Sequence, residues 1–223
     1  MILADFLPVI KSVHLVSVLA CLLVVMFVDL RASKLFITPL LKRDFVTFEV
    51  CHRVLNIGLI VLWSTGTIIT LELLKYDILN MTPKLLAKIT VVTILTANAS
   101  LIGRYVLPYL KLRRGSMMGD FDPQVRVWLS ITFSMSFASW MAAFCLGMFP
   151  IFRPMDASQL LLVLGNWYIA MIGIGLVIAF VAPHLNPSER VHMQSWQRRT
   201  KGLREKCAGR VKGHHAFWRV TKT

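Results

Sequence analysis

The order of apolar and polar residues divides the chain into five long apolar segments joined by short polar connections. Each segment has roughly twenty mostly apolar residues, the length that crosses the hydrocarbon core of a bilayer as an α-helix. The segments are 8–29, 53–74, 87–108, 127–149 and 160–182. Backbone groups in hydrocarbon must hydrogen-bond internally, which favours helices. We therefore predict an all-α fold, an integral membrane bundle of five transmembrane helices.

Composition supports this prediction. The chain has 223 residues, of which 56% are hydrophobic and only 16% are charged. The first segment has no basic residue before it and runs past the usual length of a signal peptide, so we interpret it as a retained helix. We divide the chain into a transmembrane domain, 1–184, and a basic tail, 185–223.

The tail has a pattern of its own. Asn186, Pro187 and Glu189 are typical of the first residues of a helix. Apolar residues then recur at spacings of three and four among many basic ones. This pattern predicts a partly amphipathic helix on anionic lipid headgroups, with an unstructured basic tail as the alternative.

The net charge of +14 is unevenly distributed. Basic residues concentrate in the tail and in the two connections that follow the first and third segments. The basic residues of these two connections are Arg31, Lys34, Lys42, Arg43, Lys111, Arg113, Arg114 and Arg126. Because basic connections stay on the cytoplasmic side, we predict an outside N-terminus and a cytoplasmic C-terminus in a bacterial inner (plasma) membrane. The chain has no nucleic-acid recognition motif, so we expect no nucleic acid as a partner.

Two ionisable residues lie inside the predicted spans at a similar depth. His14 is in the first segment, and Lys88 opens the third. Intramembrane ionisable groups usually face the interior of a bundle and mark a functional site. We therefore expect His14 to face inward as a cofactor ligand and Lys88 to hold an anionic group or act in catalysis. The alternatives are a hydrogen-bonded core histidine and a lysine that reaches the interface.

A second histidine and several sulfur atoms suggest other chemistry. His52 precedes the second segment and is expected near the opposite membrane face, where it would be a poor partner for His14 on one haem iron. His14 with Cys21, Cys145 and Met148 offers the nitrogen and soft sulfur ligands that suit cuprous copper. The alternative for the sulfur residues is ordinary helix packing.

Small residues in the last two segments predict close helix contacts. One face of the fourth segment carries small residues, and the fifth contains several glycines: Thr132, Ser136, Ser139, Ala143, Gly165, Gly173 and Gly175. Such faces allow transmembrane helices to approach one another. Asn166 should need a hydrogen-bonding partner. We accordingly expect a homo-oligomer or partner membrane subunits as one possibility.

The first three segments resemble two families of small bacterial membrane proteins. The stretches are KSVHLVSVLACLLVVMFVDLRASKLF (11–36), LIVLWSTGTIITLEL (59–73) and PKLLAKITVVTILTAN (83–98). They resemble the haem-containing, oxygen-independent-type protoporphyrinogen oxidase family and the copper-resistance D-like membrane domain. The first resemblance implies a haem role for His14 and a role in activity for Lys88.

Three interpretations of function remain open from the sequence. The first is a redox-active protein that binds haem b around His14 and Lys88. The second is a non-catalytic accessory or assembly subunit of a membrane complex. The third is a copper-handling membrane protein. The residues do not decide whether the chain is an enzyme.

Overall fold

The structure, a computed structural model, describes residues 2–36, 38–75 and 81–184. The helices of this part are α1 (Ile2–Ser33), α2 (Lys42–Leu74), α3 (Pro83–Leu101), α4 (Leu107–Leu112), α5 (Pro123–Met148) and α6 (Ala157–Val181). A π-helical turn, Ile102–Val106, joins α3 and α4 into one span, Pro83–Leu112. Within the described residues five helices are long and apolar enough to cross a membrane, which confirms the predicted multi-pass bundle. The predicted tail helix lies outside the described residues.

Each spanning helix begins before the apolar segment that predicted it. The largest difference is at α2, which begins at Lys42 rather than near residue 53. The Asp44 carboxylate accepts a hydrogen bond from the Leu41 N–H at 3.3 Å and so supports this early start. As a consequence, His52 lies well inside α2 and does not begin it.

Side-chain caps explain where other helices begin. The Thr82 hydroxyl accepts a hydrogen bond from the Leu85 N–H, and Pro83 follows as the first helical residue of α3. The Asp156 carboxylate accepts from the Gln159 N–H at 2.8 Å at the start of α6. Each cap satisfies a backbone donor that the helix itself leaves without a partner.

Three core clusters lie one above another along the bundle. One cluster contains Phe48 of α2 and Leu110 of α4, and a middle one contains Cys21 and Trp140. The third joins Val91 of α3 to residues late in α5 and early in α6. We call the end with the first cluster the His52 end and the end with the third the Lys88 end.

Helix α5 has the largest buried share of the five spans and contacts α1, α3 and α6. The Ser139 hydroxyl is completely buried and lies 2.9 Å from the Tyr168 hydroxyl of α6. The Trp167 indole N–H donates to the Ala138 carbonyl at 3.0 Å. The predicted small-residue face of α5 therefore makes contacts inside the chain.

Glycines of α6 behave differently from one another. A Cβ at Gly175 would collide with the Ser134 hydroxyl and lie 3.0 Å from the Ser130 carbonyl oxygen, so α5 and α6 pack closely there. A Cβ at Gly165 or Gly173 would meet no atom within 4 Å in the described structure. The prediction of tight packing thus holds for Gly175 alone among these three.

The π-helical turn has a local cause. Pro108 follows it in α4 and has no N–H to donate back along the helix. Its ring also crowds the carbonyl four residues earlier, and a wider turn relieves this crowding. The turn contains Gly103, where a Cβ would lie 2.6 Å from His52 Nε2. The third span therefore touches His52 through bare backbone.

Candidate functional site

His14 packs between α1 and α2 at the Lys88 end. Its Nδ1 lies 2.8 Å from the Thr65 hydroxyl, and a Cβ at Gly66 would be 3.5 Å from its Cε1. The residue is half-buried. This contact agrees with the prediction that His14 faces a neighbouring helix.

The hydrogen-bond pattern assigns a tautomer to His14. The Thr65 hydroxyl donates its single proton to the Val61 carbonyl at 2.7 Å. Thr65 Oγ1 is then an acceptor toward His14, so the imidazole donates from Nδ1. The neutral ring consequently keeps the lone pair on Nε2 for another partner.

Lys88 belongs to a group of cations beside His14. The Lys88 charge acts on the His14 ring, and the charges of Lys84 and Arg153 act on Lys88. The Lys84 ammonium also donates to the Phe149 carbonyl at 3.0 Å. We call Lys84, Lys88 and Arg153 the Lys88 cluster. It joins the start of α3 to the connection between α5 and α6.

Among the described residues, no acid forms an ion pair with this cluster. The ion pairs among the described side chains are Arg31–Asp44 at 3.3 Å and Arg53–Glu49 at 3.2 Å, and neither involves the cluster. Apart from the electrostatic contacts above, Lys88 has no hydrogen bond or ion pair to any side chain in this part of the chain. Three cations with no described counter-ion can attract an anion.

The structure does not bring the proposed copper ligands together. His14 and Cys21 are on one helix and lie about 10 Å apart along its axis. Ligands of one metal ion stand roughly 2 Å from it. In the described residues no three His, Cys, Asp or Glu side chains are placed to hold a metal ion. Cys145 is half-buried and Met148 is exposed on α5, so the geometry gives copper no support.

The surroundings of His14 also fit a haem poorly. The ring is bonded at Nδ1 and lies against Gly66 at Cε1. This packing places α2 against the Nδ1 and Cε1 edge of the ring, which crowds one side of any group bound there. A cavity of about 50 Å³ lies elsewhere, next to His52, and is far too small for a porphyrin. We therefore derive no step through haem.

A second polar region surrounds that cavity at the His52 end. Its polar lining consists of Asp29, His52 and Ser136, and the other lining side chains are apolar. His52 Nε2 lies 3.1 Å from the Asn56 carboxamide nitrogen on the same helix. About 20 Å along α2 separates His52 from Thr65, the partner of His14. The two histidines thus serve separate regions, as the sequence predicted.

Sequence reasoning missed three of these residues. Asp29 was visible as an acid near the end of the first apolar segment, and a search for its counter-ion would have singled it out. Arg153 was the single basic residue of a short connection, and a lone cation in a connection gives no signal of a site. Gly103 gave no signal, because only the packing of α2 against the third span reveals its contact with His52.

Comparison of the chain with known protein families, with curated proteins and with solved structures gives no significant match. The family resemblance of the first three segments accordingly gains no support. The roles that it implies for His14 and Lys88 stay predictions. The case for function depends on the geometry of the chain itself.

Proposed function

We propose that the protein is a multi-pass membrane protein that binds an anionic amphiphile at the Lys88 cluster. The observation that carries this proposal is the group of three cations without a described carboxylate partner. A lysine within a span is costly unless it faces a partner or water. A phosphate or carboxylate at the head of an apolar molecule would supply this partner and leave its tail among the helices.

His14 has a defined part in this proposal. Its Nδ1–H donates to Thr65, so Nε2 points its lone pair away from that bond. An uncharged imidazole beside Lys88 can accept a hydrogen bond from the ammonium and orient it. His14 is then a positioning residue for the cation that binds the anion.

Binding of lipid headgroups tests the proposal directly. The purified protein in detergent is incubated with phosphatidic acid or with phosphatidylcholine, and native mass spectrometry counts the bound lipids. We expect one phosphatidic acid retained by the wild type and its affinity lowered about tenfold in Lys88→Met, because a charge-assisted hydrogen bond contributes about 1.5–3 kcal/mol. Inorganic phosphate should compete if the phosphate group alone is recognised.

The control is Lys11→Met. Lys11 is exposed on α1 at the same end, and its replacement by Met changes the net charge as much as Lys88→Met does. This variant should keep the wild-type affinity. An equal loss in both variants, or equal retention of phosphatidylcholine and phosphatidic acid, would contradict a specific anion site.

We also propose the orientation that the charge pattern predicts, with the Lys88 end outside and the C-terminus in the cytoplasm of a bacterial cell. The support is the larger number of basic residues in the connections of the His52 end. A reporter fused after Thr223 should be active only in its cytoplasmic form. Activity of a periplasmic reporter at that position would reverse the assignment.

A second candidate function, assembly with another copy of the chain, is favoured by one residue. Asn166 is exposed near the middle of α6 and has no hydrogen-bond partner among the described residues. A carboxamide facing hydrocarbon costs several kcal/mol. Because it both donates and accepts, Asn166 of a second copy would satisfy it reciprocally.

Cross-linking in native membranes tests this assembly. We expect a dimer in the wild type and its loss in Asn166→Leu, since the polar pair contributes about 1 kcal/mol or more in a bilayer. The matched control is Ile169→Leu, a change on the same exposed face. A monomeric wild type would exclude this candidate.

A further inference from the structure

The cavity at the His52 end is lined by parts of all but one of the spans. Side chains of α1, α2, the π-helical turn, α4 and α5 line it, and its volume is about 50 Å³. One water molecule needs roughly 10–15 Å³ by the same measure. The cavity therefore has room for more than one water, and its polar lining gives water partners.

The Asp29 carboxyl group lacks a partner in this cavity. Its Oδ2 atom is completely enclosed and has no hydrogen bond to any described residue. The nearest cation on the same helix, Arg31, is paired with Asp44. Arg53 of α2 is paired with Glu49. Asp29 is thus a half-buried acid with one enclosed carboxylate oxygen and no described counter-ion.

Other elements around the cavity add no cation. Arg126 of α5 donates to the Gly119 and Phe121 carbonyls, and Arg104 of the π-helical turn is exposed. Asp29 and His52 are the titratable side chains of the lining. An ionised carboxylate without a partner is far costlier in apolar surroundings than a neutral carboxylic acid. The site accordingly favours a proton on Asp29.

His52 supplies a second proton-binding group next to the same space. The Asn56 carboxamide donates to Nε2 in the orientation present, which leaves Nδ1 as the protonated nitrogen of a neutral ring. The ring lies against Gly103, so the third span limits where it can turn. The imidazole is held beside the cavity by α2 on one side and the π-helical turn on the other.

We propose that the Asp29 cavity, formed with His52 and Ser136, is an internal proton-binding site. Water in the cavity connects Asp29 Oδ2 with the imidazole of His52. A proton from the aqueous phase adds to the Asp29 carboxylate and forms the O–H bond of the neutral acid. Its release returns it to water, or to His52 Nε2 once the Asn56 carboxamide turns its oxygen toward that atom. This site is separate from the anion site at the other end and does not depend on it.

Infrared spectroscopy of the full-length protein in lipid tests the proposal. A protonated carboxyl group has a carbonyl stretch that a carboxylate lacks and that shifts in D2O. We expect this band at neutral pH in the wild type, with a loss of one carboxyl per chain in Asp29→Asn. The matched control Glu49→Gln changes an exposed acid that is already ion-paired, and it should keep the band.

The link to His52 is tested by titrating the same band with pH. In His52→Gln its midpoint should move by about one pH unit, a tenfold change in proton affinity. Ser136→Ala is a milder variant that should shift the band frequency without loss of the band. A band that is absent from the wild type, or that remains in Asp29→Asn, would overturn the proposal. Suppression of the band by sodium but not by choline would overturn it in favour of a metal-cation site.

Discussion

The two ends of the bundle differ in the sign of the charge that lacks a described partner. At the Lys88 end, Lys84, Lys88 and Arg153 stand together with no described acid in an ion pair. At the His52 end, Asp29 is an acid whose Oδ2 is enclosed without a hydrogen-bond partner. One end therefore suits an incoming anion and the other suits a proton.

The histidines of the two ends differ in the same way. His14 binds Thr65 across two helices, so its hydrogen bond helps to join α1 to α2. His52 binds Asn56 one turn along its own helix, so its bond joins no helices. The histidine hydrogen bond thus joins two helices at one end, while at the other it stays within one helix beside the cavity.

The largest effect on stability should come from a substitution that disturbs the packing of α5, the helix that both ends share. Ser139→Leu places a larger side chain where the serine is completely buried and removes the contact with Tyr168. We expect a loss of about 3 kcal/mol in the free energy of unfolding from overpacking and a broken hydrogen bond. Thermal unfolding in detergent measures it, and anion binding should fall at the same temperature as the helical signal. An unchanged midpoint would mean that α5 is not the common support.

A smaller effect should separate the two ends. A Cβ at Gly103 lies 2.6 Å from His52 Nε2, whereas a Cβ at Gly66 lies at an ordinary 3.5 Å from His14 Cε1. Both changes to alanine gain similar helix propensity. We therefore expect Gly103→Ala to be about 2 kcal/mol less stable than Gly66→Ala because His52 must move. Equal midpoints for the two variants would show that His52 shifts without cost.

The hydrogen bonds of the two histidines should differ by less. Thr65→Val removes the acceptor of His14 Nδ1–H and should cost about 1 kcal/mol, since this is the hydrogen bond that the ring makes among the described residues. Asn56→Leu should cost less, because cavity water can replace the lost donor to His52. Thermal midpoints give the order, and nitrogen NMR shifts of labelled histidine should report a changed tautomer for His14 only in Thr65→Val. The reverse order of midpoints would contradict the contrast.

Much of the fold follows from the sequence for a simple reason. Long apolar segments in a bilayer have few choices, so their periodicity and length were enough to predict five spans and the inward face of His14. The start of α2 was placed too late because residues 42–52 are polar enough to look like a connection. Hydropathy reports contact with lipid, and a helix that continues into a polar first turn gives no such signal.

The candidate sites were predictable only in part. The shared depth of His14 and Lys88 follows from helix rise and direction, so their proximity could be foreseen. Arg153 and Gly103 join their sites through contacts between distant parts of the chain, which no local pattern encodes. Asp29 is visible in the sequence as an acid near the end of the first apolar segment. Its lack of a described counter-ion is a property of the packed bundle, which the sequence does not show.

The smallest expected effect concerns Asp156, an acid three residues after Arg153, and asks whether it is a counter-ion of the Lys88 cluster. Asp156 is fully exposed, and its pKa is held below the usual range, first by the hydrogen bond from the Gln159 backbone N–H and then by the Ser158 hydroxyl. No charge of the Lys88 cluster contributes to this shift, so we interpret Asp156 as a helix cap.

The lowered pKa of Asp156 in the folded state means that its cap stabilises α6 fully above the unfolded pKa of about 3.9. This stabilisation is lost as the pH falls below that value. Asp156→Asn should keep the cap, retain the wild-type affinity for phosphatidic acid and remove the acid-dependent part of the stability. Asp156→Ala should lower the thermal midpoint slightly at neutral pH, with the difference from the wild type narrowing in acid. A clear rise in anion affinity in Asp156→Asn would show that this carboxylate does neutralise the cluster, and the contrast between the two ends would then be weaker than proposed.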